Sequence, residues 1–286
     1  MKKGKFRMNL SSQKFIGFKL SIVPPRIRLG IDLFDKLIID GLPSNSFVIF
    51  SGEAGIAKSS IFHCIASRLL QSKYACIYMC IDEHPISVYE NMLLYSPKIK
   101  KYLKRNQLLL ADLFSYKLNI QNSNTDELQN FIISYYPTGW QNLFNMLMQS
   151  LSNLMIKYKK LIVMIDSLTE LLYKMDPNSI LDLIKAIRLE VCKKRYIPVF
   201  ASSHFGIKSF EEFEQIIEYH VDGIVDFRYD PLAMQYGSLI KQLRIRKLRG
   251  SKHDKRWHSF DILNNDIVEI QVENLTQKVG SLNINI

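Results

Sequence analysis

Short, wholly apolar runs alternate along this chain with longer stretches in which apolar residues recur every three or four positions. Phe47–Ser51, Tyr74–Ile81, Leu108–Leu110, Lys160–Ile165 and Ile197–Ser202 are runs of the first kind and predict buried strands. Ser60–Leu70, Glu83–Leu94, Trp140–Tyr158 and Ser179–Lys194 are stretches of the second kind and predict helices. Strands separated by helices require crossover connections, so the pattern predicts an α/β fold with a mainly parallel, twisted sheet flanked by helices. Gly223–Arg228 and Lys241–Leu248 are two further strand-like runs with only a polar turn region between them. That spacing predicts an antiparallel β-hairpin at one edge.

Pro24-Pro25 excludes helix and marks a boundary, so residues 1–23 are set apart as a basic N-terminal arm. A single domain is expected over 24–275, followed by a short tail, 276–286. Gln121–Glu127 is polar and turn-rich and is expected as an exposed loop. No apolar run reaches the ~18 residues of a membrane span. The basic N-terminus lacks the apolar stretch and cleavage site of a secretory signal. Both point to a cytoplasmic protein. Of the four cysteines, Cys76 and Cys80 would share one face of a strand, and no zinc-binding spacing is present. Buried, reduced thiols are expected.

The net charge of +11 admits nucleic acid, an acidic membrane surface or an acidic partner. The excess is spread over the chain, with local clusters at Lys2–Arg7, Lys98–Arg105 and Lys241–Arg256 that lack the aromatic interleaving of a recognisable nucleic-acid module. A solvated surface explains the first two clusters.

The chemistry is concentrated after the first strand. Gly52-Glu53-Ala54-Gly55-Ile56-Ala57-Lys58-Ser59-Ser60 follows an apolar run and opens a helix, the context of a phosphate-binding loop. Backbone N–H groups of such a loop converge on phosphate oxygens, with the positive end of the helix behind them. Lys58 would bridge the β- and γ-phosphates of a nucleoside triphosphate, and Ser59 would coordinate Mg²⁺. Ala57 stands where glycine is expected. If that position needs a positive φ, alanine costs about 1–2 kcal/mol.

Asp166 ends an apolar strand and is expected beside the phosphate-loop strand, holding Mg²⁺ with Ser59; capping of the next helix by Asp166 or Ser167 is the alternative. Asp82-Glu83 closes the strand Tyr74–Ile81. The pair could polarise an attacking water, or cap the following helix, and spacing alone leaves both open. Ser202-Ser203-His204 closes another strand, and His204 carries no catalytic assignment.

These pieces in this order resemble the KaiC/RadA branch of the RecA-like P-loop ATPases. Arg28–Ile38 with Gly41-Leu-Pro43 is similar to the family's lead-in to the phosphate loop, although its Gly-Gly is missing and Asn45 stands where glycine is frequent. Leu243-Arg-Ile-Arg-Lys-Leu-Arg-Gly-Ser-Lys-His-Asp254, followed by Ser259–Ile262, resembles the family's C-terminal hairpin, and Val221–Val225 the strand before it. The resemblance implies that Asp82 and Glu83 occupy the position of the catalytic acidic pair. It also implies that Lys247 and Arg249 reach the γ-phosphate held by a neighbouring subunit, as an arginine finger does. A homo-oligomeric ring, a hexamer by analogy, follows from that arrangement.

Three functions are therefore carried forward. The first is a Mg-dependent ATPase with nucleotide at a subunit interface. The second is an ATP-dependent switch serving a protein partner in a larger machine, like the KaiC-like component of the archaellum motor. The third is a DNA-binding recombinase paralogue, for which no DNA-contacting loop is evident. The abundance of Ile and Lys, with this family type, points to an archaeal source.

Overall fold

The computed structural model describes residues 23–118, 131–204 and 211–271. Most of the N-terminal arm, the Gln121–Glu127 segment and the C-terminal tail lie outside the described residues. A two-stranded ribbon, β1 (Arg26–Ile27) with β2 (Leu42–Pro43), brackets α1 (Asp32–Leu37) and leads into the main sheet. The main strands are β3 (Phe47–Gly52), β4 (Ala75–Cys80), β5 (Leu108–Asp112), β6 (Ile132–Ser134) and β7 (Leu161–Asp166). They continue as β8 (Val199–His204), β9 (Gly223–Tyr229), β10 (Lys241–Leu248), β11 (His258–Leu263) and β12 (Asp266–Glu269).

These ten strands form one sheet in the order β12-β11-β10-β9-β3-β8-β7-β4-β5-β6. From β9 to β6 every neighbour is parallel. At the other edge β10, β11 and β12 pair antiparallel. The mainly parallel sheet with an antiparallel C-terminal edge is the architecture expected of the sequence; the edge is a three-stranded meander rather than a single hairpin.

The crossover helices are α2 (Lys58–Gln71), α3 (Pro85–Tyr95), α4 (Ile99–Lys104), α5 (Phe114–Leu118) and α6 (Trp140–Lys157). After them come α7 (Leu168–Leu171), α8 (Pro177–Ile187), α9 (Glu211–His220) and α10 (Pro231–Gln235). The central parallel strands β3, β4 and β7 are buried along nearly their whole length because both faces are covered. On β4, Cys76, Tyr78 and Cys80 pack with α2 and α3, while Ala75, Ile77 and Met79 pack with α6 and α8. All four cysteines are buried and free, and the Cys76–Cys80 pair shares a face as expected.

Two local departures matter below. The helix expected over Ser179–Lys194 is α-helical only to Ile187 and continues as a π-helical turn, Arg188–Lys193. The polar region between β9 and β10 contains α10, with Pro231 in its first turn and Asp230 capping the N–H groups of Leu232 and Ala233. No helix among the described residues is long and apolar enough to cross a membrane.

Candidate nucleotide site

The loop after β3 is shaped by close approach on one side and by left-handed backbone on the other. A methyl group on Gly52 would meet Phe227 Cβ and carbonyl oxygen, both at 2.7 Å, so β9 forbids a side chain there. Gly55 has φ of 77°, and only the Tyr229 hydroxyl approaches the place of its missing Cβ, at 3.8 Å. Ala57 has φ of 76° and ψ of 26°, so the alanine does occupy the left-handed region. Helix α2 starts at Lys58 with no side-chain cap. Its first-turn N–H groups are left for an anion, as a phosphate loop requires.

Lys58 is only 4% exposed. Its ammonium donates to the carbonyls of Gly52 (2.8 Å) and Glu53 (2.7 Å), which folds it back over the loop. Burial lowers its pKa to about 8, and the charges of Asp166, Asp82, Glu214 and Glu53 oppose that fall. A desolvated cation of this kind gains most from a phosphate, whose negative charge replaces the missing water.

Asp166 ends β7, but not beside the phosphate-loop strand as the sequence suggested. β8 lies between β3 and β7. The inserted strand supplies Ser202, whose hydroxyl donates to one oxygen of Asp166; the Tyr78 hydroxyl donates to the other at 2.8 Å. Both donors hold the carboxylate, 6% exposed, toward the end of the sheet. It does not cap the following helix: Ser167 is the cap residue of α7 and makes no side-chain capping bond.

Capping is excluded for Asp82 and Glu83 too. Helix α3 begins two residues later than expected, at Pro85, and His84 Nδ1 accepts from the Ile86 N–H at 3.3 Å. The acidic pair is left on the loop after β4. Asp82 Oδ2 lies 3.6 Å from His204 Nε2, which ties the ends of β4 and β8 across β7. Glu83 accepts from Asn91 of α3 at 3.1 Å. Burial pushes the Glu83 pKa upward, the Asn91 bond restrains it, and neighbouring Asp166 and Asp82 add to the rise. Thr169 completes this edge: its hydroxyl meets Ser203 Oγ at 3.2 Å and accepts from the His204 N–H at 2.9 Å.

The residues present suit a nucleoside triphosphate: a glycine-shaped loop, an uncapped helix start and a buried lysine. Ser59 and Asp166 are the oxygen donors that would hold Mg²⁺, with phosphate and water supplying the other ligands. Among the described residues no cluster of three His, Cys, Asp or Glu side chains could cage a metal.

Lys247 and Arg249 are not brought to this loop. Leu248 of β10 stands opposite Gly223, which pairs with Val48 near the start of β3, whereas Gly52 ends it. The hairpin residues thus lie at the opposite end of the sheet, about 13 Å or more along the strands. Lys247 donates to the Glu218 carbonyl, and Arg249 to the Tyr219 carbonyl at 3.5 Å. Several other cations of the basic hairpin are paired. Arg244 and Arg246 both meet Asp226, and Lys241 meets Asp261. Arg228 and Arg244 both lie against the Trp257 ring, at 3.9 and 4.5 Å from its centroid.

Sequence reasoning missed Tyr78, Asn91 and Thr169. Tyr78 reads as one more core residue in an apolar strand, and nothing local in the sequence announces its bond to Asp166.

Comparison with known proteins gives three findings. The family model described as "ATPase: KaiC" matches residues 27–274. A UPF0273 protein of Pyrococcus furiosus is 25% identical over 85% of this chain and 93% of its own length. Similar proteins occur in Methanocaldococcus jannaschii, 24% identical over 85% of this chain and 95% of that protein, and in Thermotoga maritima, 25% identical over the same shares. The crystal structure of a KaiC-like protein from the hyperthermophilic archaeon Pyrococcus horikoshii superimposes with a TM-score of 0.64. At 18% identity it covers 87% of this chain and all of that one.

Proposed function

The chain belongs to the KaiC family of P-loop ATPases, and from that premise we propose that it binds ATP with Mg²⁺ and hydrolyses it at an interface between copies. The observation that carries this reading is the separation of two half-sites. The phosphate loop, Asp166 and the Asp82–Glu83 pair gather at one end of the sheet, while Lys247 and Arg249 sit at the other. One chain cannot close both halves around one γ-phosphate; a head-to-tail neighbour can, and head-to-tail contacts that close form rings.

In this reading the N–H groups of residues 52–60 cradle the phosphates, and Lys58 leaves its carbonyls to meet the phosphate chain. Mg²⁺ bound through Ser59 and Asp166 would offset charge on the phosphates. Glu83, raised in pKa and steered by Asn91, orients the attacking water and takes its proton, with Asp82 beside it. Lys247 and Arg249 of the neighbouring copy stabilise the charge that develops on the γ-phosphate.

The left-handed Ala57 supports a second reading, in which the protein is an ATP-dependent switch serving a protein partner. The strain loads the loop whose geometry sets turnover. Phosphate release and solution mass, measured together with and without ATP, separate the two. Release well above a Lys58→Ala control, appearing with an oligomer, is expected of the ATPase. An oligomer that holds ATP unchanged is expected of the switch.

A further inference from the structure

At the end of the sheet away from the phosphate loop, a cavity of about 310 Å³ is lined by Arg26, Arg188, Lys193 and Arg249 around a single carboxylate, Asp222. Four cations against one anion leave three positive charges in excess. Elsewhere on the hairpin Arg244 and Arg246 share Asp226, Arg246 also meets Glu218, and Lys241 meets Asp261, so carboxylates accompany those cations.

The cluster is built, not incidental. Asp222 is 2% exposed and pairs with Arg188 at 2.7 Å and Lys193 at 2.9 Å. It also accepts from the Phe47 N–H at 3.1 Å. In an α-helix, residues five apart point about 140° away from one another. The π-helical turn Arg188–Lys193 closes i→i+5, which stacks these two side chains on one side and lets a single carboxylate hold both. The Asp222 carbonyl accepts from the Arg249 N–H at 2.8 Å, so the same residue fixes the backbone of the third cation. Arg26 is held by the carbonyls of Gly41 (3.3 Å) and Gly250 (2.8 Å). Among the described residues no carboxylate pairs with Arg26 or Arg249.

We propose that this cavity is a second anion site, which takes a chain of phosphates between Arg188, Lys193, Arg26 and Arg249. Guanidinium groups bind phosphate oxygens bidentately, Lys193 adds a point charge, and the volume is that of a small-ligand pocket. The buried Asp222 lies under the cations and sets their positions. Two sources offer this chemistry: free polyphosphate or nucleotide, and the triphosphate in a neighbour's phosphate loop. The second source rests on the function proposed above; the first does not.

The test uses inorganic tripolyphosphate and the full-length Lys58→Ala protein, whose phosphate loop is disabled. Calorimetric binding at low salt is expected, weakening as salt rises. Affinity should fall at least tenfold in Lys58→Ala with Arg188→Gln and Lys193→Gln. Arg249→Gln in the same background, at an exposed side chain, keeps the test valid if that triple variant fails to fold. Binding to a monomer points to free phosphate. If the monomer does not bind, ATP turnover in mixtures decides: Lys58→Ala should rescue a copy carrying Arg188→Gln and Lys193→Gln, and the neighbour is then the source. Absence of both binding and rescue overturns the site. An ATP affinity that Lys58→Ala leaves unchanged in a pocket-deficient protein would instead sink the proposed function and leave this result standing.

Discussion

The two ends of the sheet carry opposite chemistry. At the carboxyl ends of β3, β4, β7 and β8 are a phosphate loop and the acids Asp82, Glu83 and Asp166; among the described residues the buried cation there is Lys58, whose pKa burial lowers to about 8. At the amino ends the balance reverses, with four cations around Asp222. The imbalance is opposite at the two ends: among the described residues the first offers Lys58 as its buried cation, and the second holds more cations than carboxylates. The sheet keeps them apart, and on the proposed function that separation would make a second copy of the chain part of the chemistry.

The largest expected effect strikes the cationic end. Asp222→Ala leaves Arg188 and Lys193 facing each other and should cost about 3 kcal/mol of stability. Denaturant unfolding checks it, and an unchanged midpoint would mean the carboxylate organises nothing. Acid sharpens the contrast next. His63, buried against Tyr78, has its pKa lowered to about 4 by burial, with Asp166 opposing. Its folded pKa lies below the unfolded ~6.5, so the folded state binds fewer protons. Stability is intact above pH 6.5 and falls by up to about 3 kcal/mol as pH drops from 6.5 to 4. Asp222, whose pKa is also depressed, loses its contribution only below the ordinary carboxyl range. The phosphate-loop end should therefore fail first in acid. His63→Leu should flatten the melting temperature between pH 6.5 and 4, and a slope that survives would contradict this.

Lys58→Ala should weaken ATP binding by about 10- to 100-fold. With the wild-type lysine, affinity should decline by up to about tenfold per pH unit above 8, as the ammonium is lost. Titration by calorimetry at pH 7, 8 and 9 reads this slope, which Lys58→Met should lack. The smallest effect is Ala57→Gly, which relieves a left-handed alanine and should stabilise by about 1 kcal/mol. Faster phosphate release in that variant would locate the brake on turnover; unchanged release would clear Ala57.

How much of this could be read from the sequence depended on whether the signal was local. Strand–loop–helix order around Gly52–Ser60 is contiguous, so periodicity and glycine placement revealed it. Sheet order is not contiguous. Nothing in the run Lys160–Ile165 tells that β8 inserts between it and β3, so Asp166 was expected beside the wrong strand. Pro85 and His84 set the true start of α3, and the two residues by which it shifted decided whether Asp82 could cap. The Asp222 pocket was hidden for two reasons. Its parts come from β1, the π-helical turn, β9 and the β10 hairpin, and Arg188 and Lys193 share a face only because that turn is not α-helical.

The central claim is that one site needs both ends, from different copies. Lys58→Ala and the double variant Lys247→Ala with Arg249→Ala should each lose ATP turnover alone. Mixed in equal amounts, a fraction of interfaces joins an intact phosphate loop to an intact finger pair, so phosphate release should return. Persistent silence in mixed oligomers, or full turnover by a wild-type monomer, would contradict the account.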